Sequence, residues 1–326
     1  TSQFVKAAEL QIDKGAFTGA SEILEKLCRI IPDSAEPREQ LYRIYEQTSN
    51  TPKQIEQLEK LEKIYTQQGK ESERLEVQQK ILLLKPDDTR LRSAHISVIK
   101  KNASNDEIFQ QLMVLAKQLV SQKDWRGVCK TYHDAFNYSK SRLSLYKELL
   151  TILENENVDE ALIIEERLRY CEELIRTDNI SEAQMIINQL STKASDMMEY
   201  HLACAALYEA VEQNQQAVLS LERARSLIKP SASYRQKKSL LTRLIHLDET
   251  NLTAKRHLIR LYQENNKLEE ASNAQLELAN YYEKQGLYDL AIAEYKALTR
   301  YRSDDLSIWD SLNKCQNYLT KQTWTK

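Results

Sequence analysis

Apolar side chains return along this chain at steps of three and four residues, in runs that stop at short intervals. Leu278, Ala279 and Tyr282 lie on one such stripe, and after Gly286 a second begins with Ala291, Tyr295 and Leu298. That period belongs to a helix with one buried face. The same reading places a pair of helices in residues 5–32, where Gly15 ends the first, Ala20, Leu24 and Leu27 line the second, and Pro32 stops it. Asp33 and Ser34 are then placed to cap the next helix. In the middle of the chain, Ala116, Leu119, Val128, Tyr132 and Ala135 mark a hairpin around Trp125. Cys171, Leu174, Ala183, Ile187 and Leu190 mark another, and Ala205, Tyr208, Ala217, Leu221 and Ala224 a third before Pro230. Ser104 with Glu107, and Asn179 with Glu182, have the spacing of a capping box. The breaks predict about eighteen helices joined by short turns, and no linker rich in Pro, Gly or Ser divides them.

Two regularities tie these hairpins together. Gly15 to Pro32, Gly69 to Pro86 and Gly286 to Ser303 each span seventeen positions. A shift of 217 positions, which lays 41 on 258, aligns 41–91 with 258–308 without a gap. It matches Leu41 with Leu258, Tyr45 with Tyr262, Tyr65 with Tyr282, Gly69 with Gly286, and Asp87-Asp88 with Asp304-Asp305. Amphipathic helices share apolar phase by default, but not glycine, tyrosine and paired aspartates at once, so the chain repeats itself.

Residues 275–302 carry a small residue, an aromatic, an alanine and a second aromatic in the order Ala279, Tyr282, Ala291, Tyr295, with Gly286 at the turn. This stretch resembles a tetratricopeptide repeat (TPR). Ser303 replaces the family's usual terminal proline, and Gln275 stands where a tryptophan often sits. The resemblance implies an all-α protein, an α-solenoid of about nine stacked helix-turn-helix hairpins forming a right-handed superhelix. The best-matching units are 5–34, 55–88, 198–230 and 252–303, with a capping helix at 305–319 in which Trp309, aligned with Arg92, is a core residue. The expectation is a single continuous array over 1–326. The chain opens on Thr, which reads as a piece of something longer, with a targeting segment able to precede it.

Composition sharpens this picture. Five Gly and five Pro, with 29% charged residues, favour helix almost throughout. Seventeen Tyr against four Phe predict rings half-buried between helices with hydroxyls reaching water. The five cysteines are scattered without a CxxC, which points to free buried thiols and a reducing, cytoplasmic setting. No apolar run is long enough to span a bilayer, and no signal-peptide pattern opens the chain.

No catalytic constellation emerges. The five histidines form no HExxH, and His201 with Cys204, one turn apart, lacks further metal ligands. No phosphate-cradling GxxxxGK[ST] or GxGxxG and no GxSxG occurs. The expected protein is therefore not an enzyme and takes no cofactor or metal. Charge is more informative. Residues 148–173 hold nine acids against Arg167 and Arg169. Residues 222–260 reverse this: Arg223, Arg225, Lys229, Arg235, Lys237, Lys238, Arg243, Lys255, Arg256 and Arg260 face only Glu222, Asp248 and Glu249. Such a block can draw an acidic segment or a terminal carboxylate of another protein, or it can be an idle solvated face. Some TPR co-chaperones clamp a terminal carboxylate with Lys and Asn. Asn280 and Lys284 stand one turn apart in comparable places, but the preceding unit does not supply the matching pair.

The leading functional expectation is an interaction scaffold or adaptor that grips a peptide or helix of a partner and supports a larger assembly. The alternative is a regulatory TPR module of a multidomain signalling or transcription protein. Direct nucleic-acid binding is weaker, because aromatics interleave poorly with the basic residues of 222–260. Homo-oligomers through a terminal helix pair stay open.

Overall fold

The computed structural model describes the backbone of residues 2–324 and the side chains of residues 4–320. Trp324, near the C-terminus, has its side chain outside the described residues. Among those described there are eighteen helices and no strand. They divide into two compact units, the first ending at Val158 and the second beginning at Asp159.

The first unit holds α1 (Ser2–Asp13), α2 (Phe17–Ile30), α3 (Glu36–Gln47), α4 (Thr51–Gln68), α5 (Glu71–Leu84), α6 (Thr89–Ile99), α7 (Asn105–Ser121), α8 (Trp125–Ala135) and α9 (Arg142–Asn155). The second holds α10 (Glu160–Arg176), α11 (Ile180–Leu190), α12 (Met198–Ala210), α13 (Asn214–Leu227), α14 (Tyr234–Leu247), α15 (Leu252–Glu264), α16 (Leu268–Lys284), α17 (Tyr288–Leu298) and α18 (Leu306–Trp324). Within each unit every helix packs on the one before and the one after it. The core is accordingly a series of small clusters. Val5, Ala8, Ala20, Leu24 and Leu41 form one, and Leu278, Ala279, Tyr282, Ala291, Tyr295 and Ile308 another. Burial between neighbours, with no shared centre, is the architecture of an α-solenoid.

The helix ends explain how so many short helices are joined. Among the described residues, nine connections contain one residue in the left-handed region: Gly15, Gly69 and Gly286, but also Ser49, Lys123, Asn157, Asp178, Glu212 and Asn266. In each, the amide of the following residue donates to a carbonyl five positions back, as Lys70 does to Tyr65 (3.0 Å) and Leu287 to Tyr282 (2.9 Å). This is the Schellman closure, which satisfies a carbonyl that the finished helix leaves bare. Glycine meets no steric penalty there, and six of the nine turns manage without it.

Most other connections use a side chain. The carbonyl of Pro32 accepts from the Arg38 guanidinium (3.2 Å), Pro86 from Arg92 (3.1 Å), and Phe136 from Arg142 (3.3 Å). The carbonyl of Ser195 accepts from His201 (2.8 Å), Ser303 from the Trp309 indole (2.9 Å), and Pro230 from Lys237 (2.7 Å). In each case the first turn of one helix reaches back six or seven residues and satisfies the loop that delivers it. A bare carbonyl inside a tight turn would otherwise cost more than the bond gains.

The 217-position repeat survives in detail. Shifted, α4 falls on α16 and α6 starts where α18 starts; Gly69 and Gly286 have φ of 68° and 69°, and Ser49 and Asn266 have 54° and 56°. Arg92 and Trp309 bond equivalent carbonyls despite different chemistry. Tyr65 donates to Glu39 in the first copy, whereas in the second Tyr282 accepts from Arg256, which stands in the place of Glu39.

Four sequence expectations need correction. Asp33 and Ser34 do not cap α3: its N-cap is Ala35, without a side-chain bond. Asn179 does not close a capping box, because its amide turns to the Thr177 carbonyl and Glu182 accepts from Tyr170. The complete box lies at Ser233 and Gln236 instead. Trp309 is 40% exposed, held outward by its bond to Ser303, and Ile308, Leu312 and Cys315 supply the core of α18. The hydroxyls of the buried tyrosines mostly reach carboxylates. Tyr45 donates to Glu25, Tyr132 to Glu148, Tyr170 to Glu182 and Tyr295 to Glu283, at 2.7–3.0 Å. Burial, then the bonded carboxylate, raises Tyr45, Tyr132 and Tyr295 well above the ordinary phenol range.

Two experiments test these ends and cores. Trp309→Phe removes the indole donor and lowers stability by about 1 kcal/mol, while Trp309→Arg, copying Arg92, restores most of it; urea midpoints of the three proteins decide, and equal midpoints refute the clamp. His95 is buried with Nδ1 unpartnered, and burial followed by nearby Arg92 lowers its basicity. Its folded state thus favours the neutral ring, so its stabilisation is complete above the ordinary imidazole value and falls as acid protonates the unfolded chain first. From about pH 6.5 downward stability declines, this one ring contributing a slope of at most about 1.4 kcal/mol per pH unit. His95→Gln flattens that slope; an unchanged slope removes His95 as its cause.

Candidate partner-binding site

The basic block of the sequence folds into α13, α14 and α15 with their connections, and α14 is its spine. Much of its charge is already committed. Arg225 donates to Glu222 (2.7 Å) and to the His257 ring (2.9 Å), and Arg243 to Glu209 (2.8 Å). Lys237 holds the Pro230 carbonyl, and Arg223 lies 4.0 Å from Asp196. Lys238 stands over the rings of Tyr234 and Tyr262, Lys255 over Tyr281, and Arg256 both covers and donates to Tyr282. Cations and aromatics thus do interleave here, but the cations already occupy the ring faces, which argues against a base-stacking platform.

Lys229, Arg235 and Arg260 are exposed; Arg260 also donates to Glu264 (3.0 Å), one turn along its own helix. An exposed pair of that kind contributes little to stability and exchanges readily for an incoming carboxylate. Arg260 and Arg235 each border a concavity. A groove of about 290 Å³ runs between α13, α14 and α15, with Ile228, Leu240, Leu241 and Leu261 beneath and Arg225, Lys237, His257 and Arg260 around it; Glu264 is its acid. On the other side of α14, Arg235, Lys238, Arg243 and His246 line a shallower hollow of about 440 Å³.

Asn280 and Lys284 lie on α16 and line neither concavity. The Asn280 carbonyl oxygen accepts the Tyr295 hydroxyl (2.7 Å), which Glu283 also accepts, so Asn280 positions a buried ring between α16 and α17. Lys284 is exposed at the end of α16. Asn280, although exposed, thus bonds its own hairpin partner.

The acidic counterpart, residues 148–173, is likewise committed in part. Glu148 accepts from Tyr132, buried Glu166 from Arg169 (2.8 Å), and Glu160 pairs with Lys193 (2.5 Å). Burial raises the Glu172 carboxyl. Glu165 and Glu172 line a cavity of about 660 Å³ together with Arg169, Asp196 and Lys229, a mixed lining of no single sign.

For chemistry, the described residues contain no group of three or more His, Cys, Asp or Glu placed to hold a metal. His201 faces the Ser195 carbonyl. Burial pushes the Cys171 thiol up to about 12, the opposite of an activated nucleophile. No helix among the described residues is long and apolar enough to cross a membrane.

No protein-family model matches the chain, and no curated protein does. Among solved structures it is similar to the TPR domain of P58(IPK), at 16% identity over 98% of both chains with a TM-score of 0.23. It is also similar to the C-terminal part of a TPR repeat-containing protein of Cytophaga hutchinsonii, at 14% identity over 94% of this chain and 99% of that one, with a TM-score of 0.30. A third likeness is to Acl4, an assembly chaperone of RpL4, at 11% identity over 99% and 98%, with a TM-score of 0.25. These overlays are loose. The solenoid assignment rests on the chain's own hairpins.

The role assigned to Asn280 is checked by Asn280→Ala. It lowers stability by about 1 kcal/mol, since one of two acceptors of a buried hydroxyl is lost, and it leaves partner binding unchanged. Weakened binding with an unaltered urea midpoint restores Asn280 to the site.

Proposed function

We propose that the chain is a non-enzymatic protein-interaction scaffold that holds an acidic segment, a peptide or helix, of another protein and helps to build a larger assembly. One observation carries the reading: after internal pairing, α13–α15 and their connections keep Lys229, Arg235 and Arg260 exposed, Arg260 at a groove whose acid is Glu264 and Arg235 at a second open hollow. A solenoid buries its apolar stripes between neighbours and leaves long faces of helix for other molecules, so its natural work is recognition. Carboxylates arriving at this face gain charge-assisted hydrogen bonds and are steered to it by the local field. The cytoplasmic setting belongs to the same proposal and rests on the scattered thiols.

The test uses short labelled peptides rich in Asp and Glu, each paired with its Asn/Gln counterpart, in fluorescence anisotropy at low and moderate salt. The acidic member binds at least tenfold more tightly, and salt weakens it. The triple variant Lys229→Glu, Arg235→Glu, Arg260→Glu loses that preference while its helical circular dichroism and melting midpoint stay in place, because all three side chains are exposed. Equal binding of charged and neutral peptides, or an unaffected variant, overturns the reading.

A further inference from the structure

The groove between α13, α14 and α15 differs from a simple basic face. Its floor is apolar, made by Ile228 at the end of α13 and by Leu240 and Leu241 on α14, the two leucines belonging to the cluster that holds the second unit together at this point. Its rim is cationic, and the rim groups come from three different helices: Arg225, Lys237 and Arg260. The volume, about 290 Å³, lies at the lower edge of the range for small binding pockets and suits one large side chain rather than a whole ligand.

Two of the rim cations are held in position. Arg225 is braced by Glu222 and by His257, and Lys237 by the Pro230 carbonyl. Each commits part of its hydrogen-bonding capacity to that brace and keeps the remaining N–H groups for a visitor, since guanidinium has five and ammonium three. Arg260, by contrast, lies on an exposed helix face, where among the described residues it pairs with Glu264. Such a site offers prearranged donors on one wall, an adaptable one on the other, and dry carbon between. A purely acidic chain would fill the rim and leave the floor wet; a purely apolar one would strand the cations.

We infer that this groove is an anchor site for a partner segment in which one bulky apolar residue, aromatic or branched, is flanked by acidic residues. The apolar side chain enters between Ile228, Leu240 and Leu241. The flanking carboxylates accept from Arg225 and Lys237 on one side and from Arg260, released from Glu264, on the other. The inference rests on the scaffold reading above and narrows it: general attraction belongs to the whole basic face, whereas selection among acidic partners belongs to the anchor. The charge complementarity of the rim commits the occupant to an acidic segment, which we assign to another protein; residues 148–173 of a second copy are the competing acidic occupant that the test must exclude.

The experiment measures the full chain with three labelled peptides of equal length and charge, whose central residue is Phe, Leu or Gly between glutamates, and with a fourth whose central Phe is replaced by the photoreactive benzoylphenylalanine. The Phe and Leu peptides bind at least tenfold more tightly than the Gly peptide, and the photoproduct maps to α13–α15 at or beside Ile228, Lys237 or Leu241. Ile228→Glu, at a half-buried loop position, abolishes the Phe-over-Gly preference while retaining weak, salt-sensitive binding of all three. Arg260→Glu, on an exposed face, lowers the affinity of Phe and Gly peptides alike and gives an independent reading should Ile228→Glu fail to fold. If all three peptides bind equally, or the photoproduct maps elsewhere, the anchor inference falls while the scaffold reading stands. If none of the acidic peptides binds, both fall. Light scattering on the same samples identifies self-association, and a dimer dispersed by the Phe peptide would make a second copy the occupant and overturn the assignment to another protein.

Discussion

Among the described residues each helix but the last ends within a few residues of the next, and each end exposes carbonyls that its own helix no longer bonds. Satisfying them is the constraint on which the rest depends. Among the described residues, nine turns close through a left-handed residue and an amide, and six more through a side chain that reaches back from the following helix. Both devices fix the angle at which one helix leaves and the next arrives. The packing of Ala279 against its neighbours, or of Tyr132 over Glu148, depends on that angle and could not survive a slack connection.

The shortage of interior governs charge as well. An array of short helices has a large surface and little core, so many ionisable groups act structurally at half-buried positions. Glu25, Glu148 and Glu283 receive tyrosine hydroxyls, and Arg92 ties three partners, Gln111, Gln118 and Pro86. The basic block at 222–260 is accordingly two populations. Arg225, Lys237, Arg243 and Arg256 brace the fold, and Lys229, Arg235 and Arg260 face outward. Substitution of the first kind disturbs structure, and at Arg225 and Lys237 the groove rim as well; substitution of the second kind disturbs recognition.

The internal repeat shows which features the architecture requires and which it tolerates. Glycine at 69 and 286, and tyrosine at 65 and 282, are kept in type. The carbonyl donor is kept in role but not in chemistry, arginine in one copy and tryptophan in the other. The partner of the buried tyrosine is reversed, from an acceptor at Glu39 to a donor at Arg256. A phenol hydroxyl can give or take a hydrogen bond, and that freedom let the charge at this site change sign between copies while the ring stayed in place.

Helix identity was fully legible in the chain, since a three-to-four apolar period on Leu278, Tyr282, Ala291 and Tyr295 admits no other backbone. The turns at Gly15, Gly69 and Gly286 were legible as well, because glycine announces a left-handed residue. Those at Ser49, Lys123 and Glu212 were not: any residue can be forced there when packing on both sides offsets the strain, and packing is a property of the folded neighbours. The donors at Arg38, Arg142 and His201 were hidden for a related reason, as a six-residue reach means nothing until the loop between is bent. Charge was visible as a sum and invisible as an arrangement. Sequence alone determined the excess of cations at 222–260; only tertiary structure decided which of them are consumed by carboxylates, rings and carbonyls, because pairing energy depends on distances that the linear order does not contain.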